Sequence, residues 1–198
     1  MKEIIVATKN RGKVREMQAV LADLPVKLLS LEDFPDVPEA VEDGNTFLDN
    51  ALIKAKHYRE YTQRACLADD SGLEVDALAG APGVLSARYA GEQGNDKANN
   101  EKLLKELAAV PTKERTARFR CALVFYDTDD TYCAAEGTCE GYILEEFRGD
   151  KGFGYDPLFE LPDKQKTLAE LSVEDKNAVS HRGQALKNMV KSLSERFA

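Results

Sequence analysis

Two adjacent carboxylates, Asp69 and Asp70, sit in the string Leu67-Ala68-Asp69-Asp70-Ser71-Gly72-Leu73, where an apolar run meets small polar residues. Such a pair can hold a hard cation such as Mg²⁺ and still orient a water molecule. The ends of strands in open α/β sheets are where ligands collect. The same string also describes an Asp-Ser-Gly turn between two strands, its side chains capping their own backbone. A second cluster, Thr8-Lys9-Asn10-Arg11-Gly12-Lys13, lies between a strand-like run and a helical one, where backbone N–H groups and the positive helix end favour anions. It lacks the Gly-x-x-x-x-Gly-Lys spacing of a Walker loop, and a solvated loop with basic residues would look similar. Glu42, with Asp43 beside it, precedes a helical stretch that carries Lys54. A metal shared with Asp70 would need a second carboxylate, and phosphate oxygens would need a cation. Elsewhere these residues would simply complement a helix end or face solvent.

Phe153-Gly154-Tyr155-Asp156-Pro157 combines aromatic rings with a glycine that permits close approach. That is a platform for a flat heterocycle, with stacking worth about 1–3 kcal/mol by analogy with bases on aromatic side chains. Aromatics filling a core beside a glycine turn would give the same pattern. Lys176, His181 and Arg182 place three donors near the start of the last helix, although surface charge is the commoner origin of such residues.

The elements that must carry these residues follow from periodicity. Glu3–Ala7 reads as a strand, and Val14, Met17, Val20, Leu21 and Leu24 recur at helical spacing up to Pro25. Val26–Leu31 reads as a strand. An acidic loop then leads to Thr46, which forms a capping box with Asp49 ahead of a helical stripe of Phe47, Ala51, Ala55 and Tyr58. Ala65–Ala68 and Leu73–Leu78 read as separate strands, and Asp96–Ala109 as a helix. Ala117–Tyr126 reads as a strand running from an edge into a core, with further strands at Tyr132–Cys139, Tyr142–Phe147 and Leu158–Leu161. Ser180 precedes a last helix whose inner face is Ala185, Leu186, Met189, Val190 and Leu193. Interleaved helices and strands indicate an α/β fold with a mixed sheet.

The 198 residues, 43% of them hydrophobic, suit one domain over 1–198 that buries roughly 70% of its unfolded surface. A balance of 35 acidic against 27 basic residues, net −8, argues against a nucleic-acid partner, so an anionic substrate would need clustered cations or a metal. Cys66, Cys121, Cys133 and Cys139 form no Cys-x-x-Cys pair and read as reduced thiols of a cytoplasmic protein. With no secretory leader and no apolar run of spanning length, no membrane role is expected.

Taken together, Thr8–Lys13, Thr46-Phe47 with Asn50-Ala51 and Lys54-Ala55, Leu67–Leu73, Gly80–Gly83 with Ser86–Tyr89, Gly152–Pro157 and Ser180–Gly183 resemble the inosine triphosphate pyrophosphatase family, in order along essentially the whole chain. The resemblance implies an elongated, two-lobed α/β domain with a curved central sheet flanked by helices and the active-site cleft between the lobes. It implies a homodimer that uses Mg²⁺ to hydrolyse ITP, dITP and XTP to the monophosphate and pyrophosphate. On this sequence Asp70 would be the catalytic carboxylate, and Glu42 with Asp70 the metal ligands, with Asp43 an alternative to Glu42. Thr8, Lys9, Asn10, Arg11, Gly12, Lys13, Lys54 and Ser71 would bind the phosphates. Phe153, Gly154, Tyr155, Asp156, Lys176, His181 and Arg182 would bind the base. Lys9 and Asp49 stand where relatives often have a small or polar residue and Glu. A pyrophosphatase for modified pyrimidine nucleotides and a silent nucleotide-sensing module are the competing readings.

Overall fold

Three β-branched residues, Ile4, Ile5 and Val6, complete the first strand. In the computed structural model, which describes residues 2–197, β1 (Lys2–Val6) buries Ile4, Ile5 and Val6 almost completely. The chain then turns into α1 (Arg11–Leu21), which presents Met17 and Leu21 to the core at helical spacing. β2 (Val26–Ser30) returns parallel to β1, with Lys2 opposite Val26 and Val6 opposite Ser30. The capping box closes as expected ahead of α2 (Phe47–Thr62): Asp49 N–H donates to Thr46 Oγ1 (3.1 Å) and Thr46 N–H to Asp49 Oδ2 (3.2 Å). Phe47, Ala51, Ala55 and Tyr58 are the buried face of that helix.

The remaining elements are β3 (Ala65–Val75), α3 (Asp96–Glu106), β4 (Thr116–Tyr126), β5 (Tyr132–Ile143), β6 (Phe159–Leu161), β7 (Lys166–Thr167), α4 (Val173–Val179) and α5 (His181–Phe197). One seven-stranded sheet has the order β2-β1-β3-β4-β5-β6-β7. It is mixed, because β1 runs parallel to β2 and β3 while β6 is antiparallel to β5 and β7. The fold is α/β, the class read from the interleaved elements.

The boundaries depart from the sequence reading in instructive places. Asp69-Asp70-Ser71-Gly72 is not a turn; it lies inside β3, an unbroken strand of 11 residues. The four residues have turn chemistry, but Leu67 and Ala68 before them and Leu73 and Val75 after them are all buried, and that packing overrides local preference. β3 ends at Val75, and Asp76–Leu78 is a 3-10 turn rather than more strand. β5 is likewise one strand where two were expected. Gly141 belongs in it, since a Cβ there would stand 2.5 Å from the Glu160 carbonyl oxygen and 2.6 Å from the Phe159 ring.

Contacts divide the chain into two compact units. The first comprises residues 1–70, 121–137 and 182–198, and its core joins Ile4, Val6, Met17, Leu67, Leu123 and Phe125 to the inner face of α5. Ala185, Leu186, Met189 and Leu193 make that face, as the periodicity predicted, with Val190 partly buried beside them. The second comprises residues 71–120 and 138–181, with Leu73, Leu103, Leu107, Phe119, Phe159 and Leu168 at its centre. Among the described residues no helix is long and apolar enough to cross a membrane.

Candidate active site

The first unit builds a charged site at the C-terminal end of β1. Ala7 N–H donates to the Leu67 carbonyl (2.9 Å) and Val6 lies opposite Leu67, so the loop after β1 runs beside the carboxylates of β3. Asn10 caps α1, its Oδ1 accepting from Gly12 N–H (2.9 Å) and Lys13 N–H (3.2 Å), while Thr8 Oγ1 accepts from Asn10 N–H (3.1 Å). This fixes the first turn, and Lys13 Nζ reaches Asp69 Oδ2 at 2.9 Å. Lys9 and Arg11 are directed elsewhere, to exposed Glu39 (2.7 Å) and Glu32 (3.7 Å).

Successive residues of a strand point to opposite faces, so the two aspartates have different neighbours. Asp69 is buried and receives Lys13 together with the Nε and a terminal nitrogen of Arg182 (3.3 and 3.2 Å). Burial works against its charge, but Lys13, Arg182 and Lys54 outweigh it and hold the carboxyl far below the usual carboxylate range. Asp70 accepts instead from Asn50 Nδ2 (3.1 Å). Here burial is the largest influence and pushes the carboxyl up; Lys54, Lys13 and Asn50 oppose it, and Glu42 adds to it. Of the adjacent pair, the surroundings favour the charged form of Asp69 and disfavour that of Asp70.

α2 supplies the other wall. Lys54 Nζ donates to the Asp69 carbonyl oxygen (3.0 Å) and pairs with Glu42 Oε2 (2.8 Å). Burial lowers its tendency to hold a proton, yet Asp69, Glu42 and Asp70 together raise its pKa above the ordinary lysine value. Glu42 is half-buried against Lys54, whereas Asp43 is exposed. Asn50 pins that loop by accepting from Gly44 N–H (2.8 Å), and a Cβ at Gly44 would stand 2.6 Å from Asp49 Cβ and 2.8 Å from Asn50 Oδ1.

Among the described residues no group of three or more His, Cys, Asp or Glu side chains encloses a metal. Mg²⁺ does not require one, because it is usually held by one or two carboxylates, with waters and substrate phosphates completing its shell. Glu42 and Asp70 are hard oxygen donors of that kind and interact with each other as well as with Lys54.

The second unit holds an aromatic and ionic platform. Lys176 and Asp156 are both buried and paired at 2.7 Å, and the Lys176 ammonium lies 4.4 Å from the centre of the Phe153 ring. Asp156 Oδ2 also accepts from Phe153 N–H (2.9 Å). Gly152 is obligatory in this turn: its φ is +77°, and a Cβ would fall 2.1 Å from Asp156 Oδ2. Tyr155 is buried and donates to the Ser86 carbonyl (2.8 Å), burial pushing its phenol well above the ordinary value. His181 is buried and stacks on Phe119, ring centres 4.7 Å apart. Ser71 is half-buried within β3.

A carboxylate whose pKa burial pushes up, with two half-buried lysines beside it, can align and neutralise a polyphosphate; an aromatic ring with a paired ammonium can recognise a heterocycle. The model of the Ham1 family matches residues 4–192. The chain belongs to the Ham1 family. The dITP/XTP pyrophosphatase of Geobacillus kaustophilus is 55% identical over 186 residues, 94% of this chain and 91% of that one. That of Geobacter sulfurreducens is 56% identical over 186 residues, covering 94% of each chain. The solved Ham1 protein of Coxiella burnetii superposes with a TM-score of 0.88 at 44% identity, covering 98% of this chain and 100% of that one.

Against this Ham1 frame, two side chains have partners that the sequence reading did not name. Arg182, which the resemblance gives to the base, is fully buried and donates to both Asp69 and Glu16 (2.6 Å). Asp69 was read only as a neighbour of Asp70, yet it organises Lys13, Lys54 and Arg182. Glu16 and Asn50 were missed as charged or polar partners. A buried acid on the core side of α1 and an amide three positions beyond Phe47 have no local signature. Only the long-range pairs reveal them, Glu16 to Arg182 across 166 positions.

Proposed function

We propose that this chain is a nucleoside-triphosphate pyrophosphatase that cleaves ITP, dITP and XTP between the first and second phosphorus atoms. It releases the monophosphate and pyrophosphate. The observation that supports this reading above others is the cluster of Lys13, Lys54, Glu42 and Asp70 around the buried Asp69. It is joined by membership of a family whose curated relatives are named dITP/XTP pyrophosphatases.

In this mechanism Asp70 orients the attacking water and takes its proton on a carboxylate oxygen, a role suited to a carboxyl whose pKa is raised. Lys13 and Lys54 neutralise charge that grows on the leaving pyrophosphate. Asp69 keeps both lysines in place, one through its carboxylate and the other through its carbonyl. The positive end of α1, with its Gly12 and Lys13 N–H groups held by the Asn10 cap, faces the phosphates together with Thr8, Lys9, Arg11 and Ser71. Mg²⁺, held by Glu42 and Asp70, would supply charge neutralisation and alignment at the phosphate oxygens.

The base is read by Phe153, Gly154, Tyr155, Asp156, Lys176 and His181. Hypoxanthine and xanthine carry a carbonyl at position 6, which a lysine ammonium can meet; adenine carries an amino donor there and would leave that ammonium unpaired. Arg182 belongs to the same base-binding set and also donates to Asp69. The working protein is a homodimer, on the strength of the family resemblance, and is cytoplasmic, where its four free cysteines persist as thiols. A panel of nucleoside triphosphates with Mg²⁺, read for pyrophosphate against orthophosphate, tests the proposal. XTP and dITP should exceed ATP in kcat/KM by about a hundredfold or more. Preference for a pyrimidine nucleotide, or release of orthophosphate, would overturn it.

A further inference from the structure

The turn that carries the aromatic platform is gripped from one helix. Asp96 and Asn100 lie four residues apart and so share a face of α3. Asp96 Oδ2 accepts from Gly154 N–H at 2.7 Å, and Asn100 Nδ2 donates to the Gly154 carbonyl at 2.8 Å. Both backbone polar groups of one residue are therefore bound by side chains from a single helix. Asn100 also donates to the Asp96 carbonyl (2.8 Å), which ties the two gripping residues together.

Two details indicate that the grip serves more than folding. Asn100 is 3% exposed, and among the described residues its Oδ1 is buried with no hydrogen-bond partner. An unpaired buried acceptor costs free energy, and a leucine on that helix face would avoid it. Gly154 itself has φ +61°, and apart from its two chain neighbours a Cβ built on it would meet nothing within 4 Å among the described residues. The backbone is thus fixed from α3 in a turn flanked by Phe153, beside its ammonium, and the anchored Tyr155.

We infer that Asp96 and Asn100 are specificity-determining positioning residues: by clamping the Gly154 peptide they hold the platform at the distance at which a 6-oxopurine, and not adenine, is accepted. This rests on the reading of residues 153–156 as the base site. Among the described residues neither clamp side chain is hydrogen-bonded to a phosphate-binding residue, so its loss acts on the binding of the base and not on the cleavage step.

The test compares Asp96→Ala, Asp96→Asn and Asn100→Leu with Phe153→Ala, measuring KM and kcat for XTP, dITP and ATP. Asp96→Ala and Asn100→Leu should each raise KM for XTP and dITP about fivefold, the worth of one hydrogen bond. Turnover should change less than about twofold, and the preference over ATP should shrink by the same factor as KM grows. Asp96→Asn keeps an acceptor oxygen and should restore most of the wild-type KM. Asn100→Leu removes an unpaired polar atom and keeps a helix former, so it remains informative if Asp96→Ala does not fold. If Phe153→Ala raises KM while both clamp variants leave KM and preference unchanged, the clamp is refuted. An equal loss of kcat for all three nucleotides in the clamp variants also refutes it. If Phe153→Ala leaves KM unchanged, the base-site reading fails, and the inference with it.

Discussion

Replacing Glu16 by glutamine isolates the buried charge network that sequence reasoning did not anticipate. Glu16 and Arg182 are both buried and paired at 2.6 Å, and Arg182 also binds Asp69, which in turn holds Lys13. The four groups form a balanced set of two cations and two carboxylates, and the substitution leaves it one positive charge in excess. Breaking a buried pair by removing one partner costs about 3–5 kcal/mol; glutamine keeps the shape and one acceptor oxygen, which places its cost near the lower end, about 3 kcal/mol. For a chain of this length that lowers Tm by roughly 6–12 °C, followed by circular dichroism. Activity should fall as well, because Arg182, deprived of one carboxylate, competes with Lys13 for Asp69. A Glu16→Gln, Arg182→Met double variant removes both charges and should recover part of the stability, giving a coupling energy in the cycle. A change in Tm of less than about 2 °C for Glu16→Gln would refute the assignment of Glu16 as the counter-charge of Arg182.

Asp70→Asn should lose about a hundredfold or more in turnover while nucleotide binding, followed by titration calorimetry, is retained; near wild-type turnover would remove Asp70 from proton transfer. Acid stability should depend on Asp127, which pairs with Lys2 and with Arg196 (3.0 Å). Burial opposes its ionisation, but Lys2, the Thr128 N–H and Arg196 win and hold its carboxyl below the ordinary aspartate value. A depressed folded pKa contributes stability that is complete above the unfolded value and is lost as pH falls through the folded one. Denaturant midpoints of wild type and Asp127→Asn should therefore differ by a constant amount near neutrality and converge below about pH 4. A gap that widens in acid would contradict this.

Much of the chain was legible from residue order because the physics involved is local. The strand and helix around Thr8–Lys13, the Thr46–Asp49 capping box and the inner face of α5 depend on neighbours one to four positions away, and each is found where periodicity and capping rules predict it. The family resemblance was legible too, since it is carried by residue types in order. What tertiary structure alone decided is which side chain meets which. Packing of Leu67, Ala68, Leu73 and Val75 draws Asp69–Gly72 into a continuous strand, and the two-residue alternation of that strand then separates the paired aspartates. One becomes a caged anion and the other a raised carboxyl, a difference invisible in two identical letters. Likewise the partners of Arg182 and of Gly154 are set by contacts between distant segments, from Glu16 and Asp69 in one case and from Asp96 and Asn100 in the other. Burial and proximity, which determine a charge's state, are properties of the folded chain and not of the order of its residues.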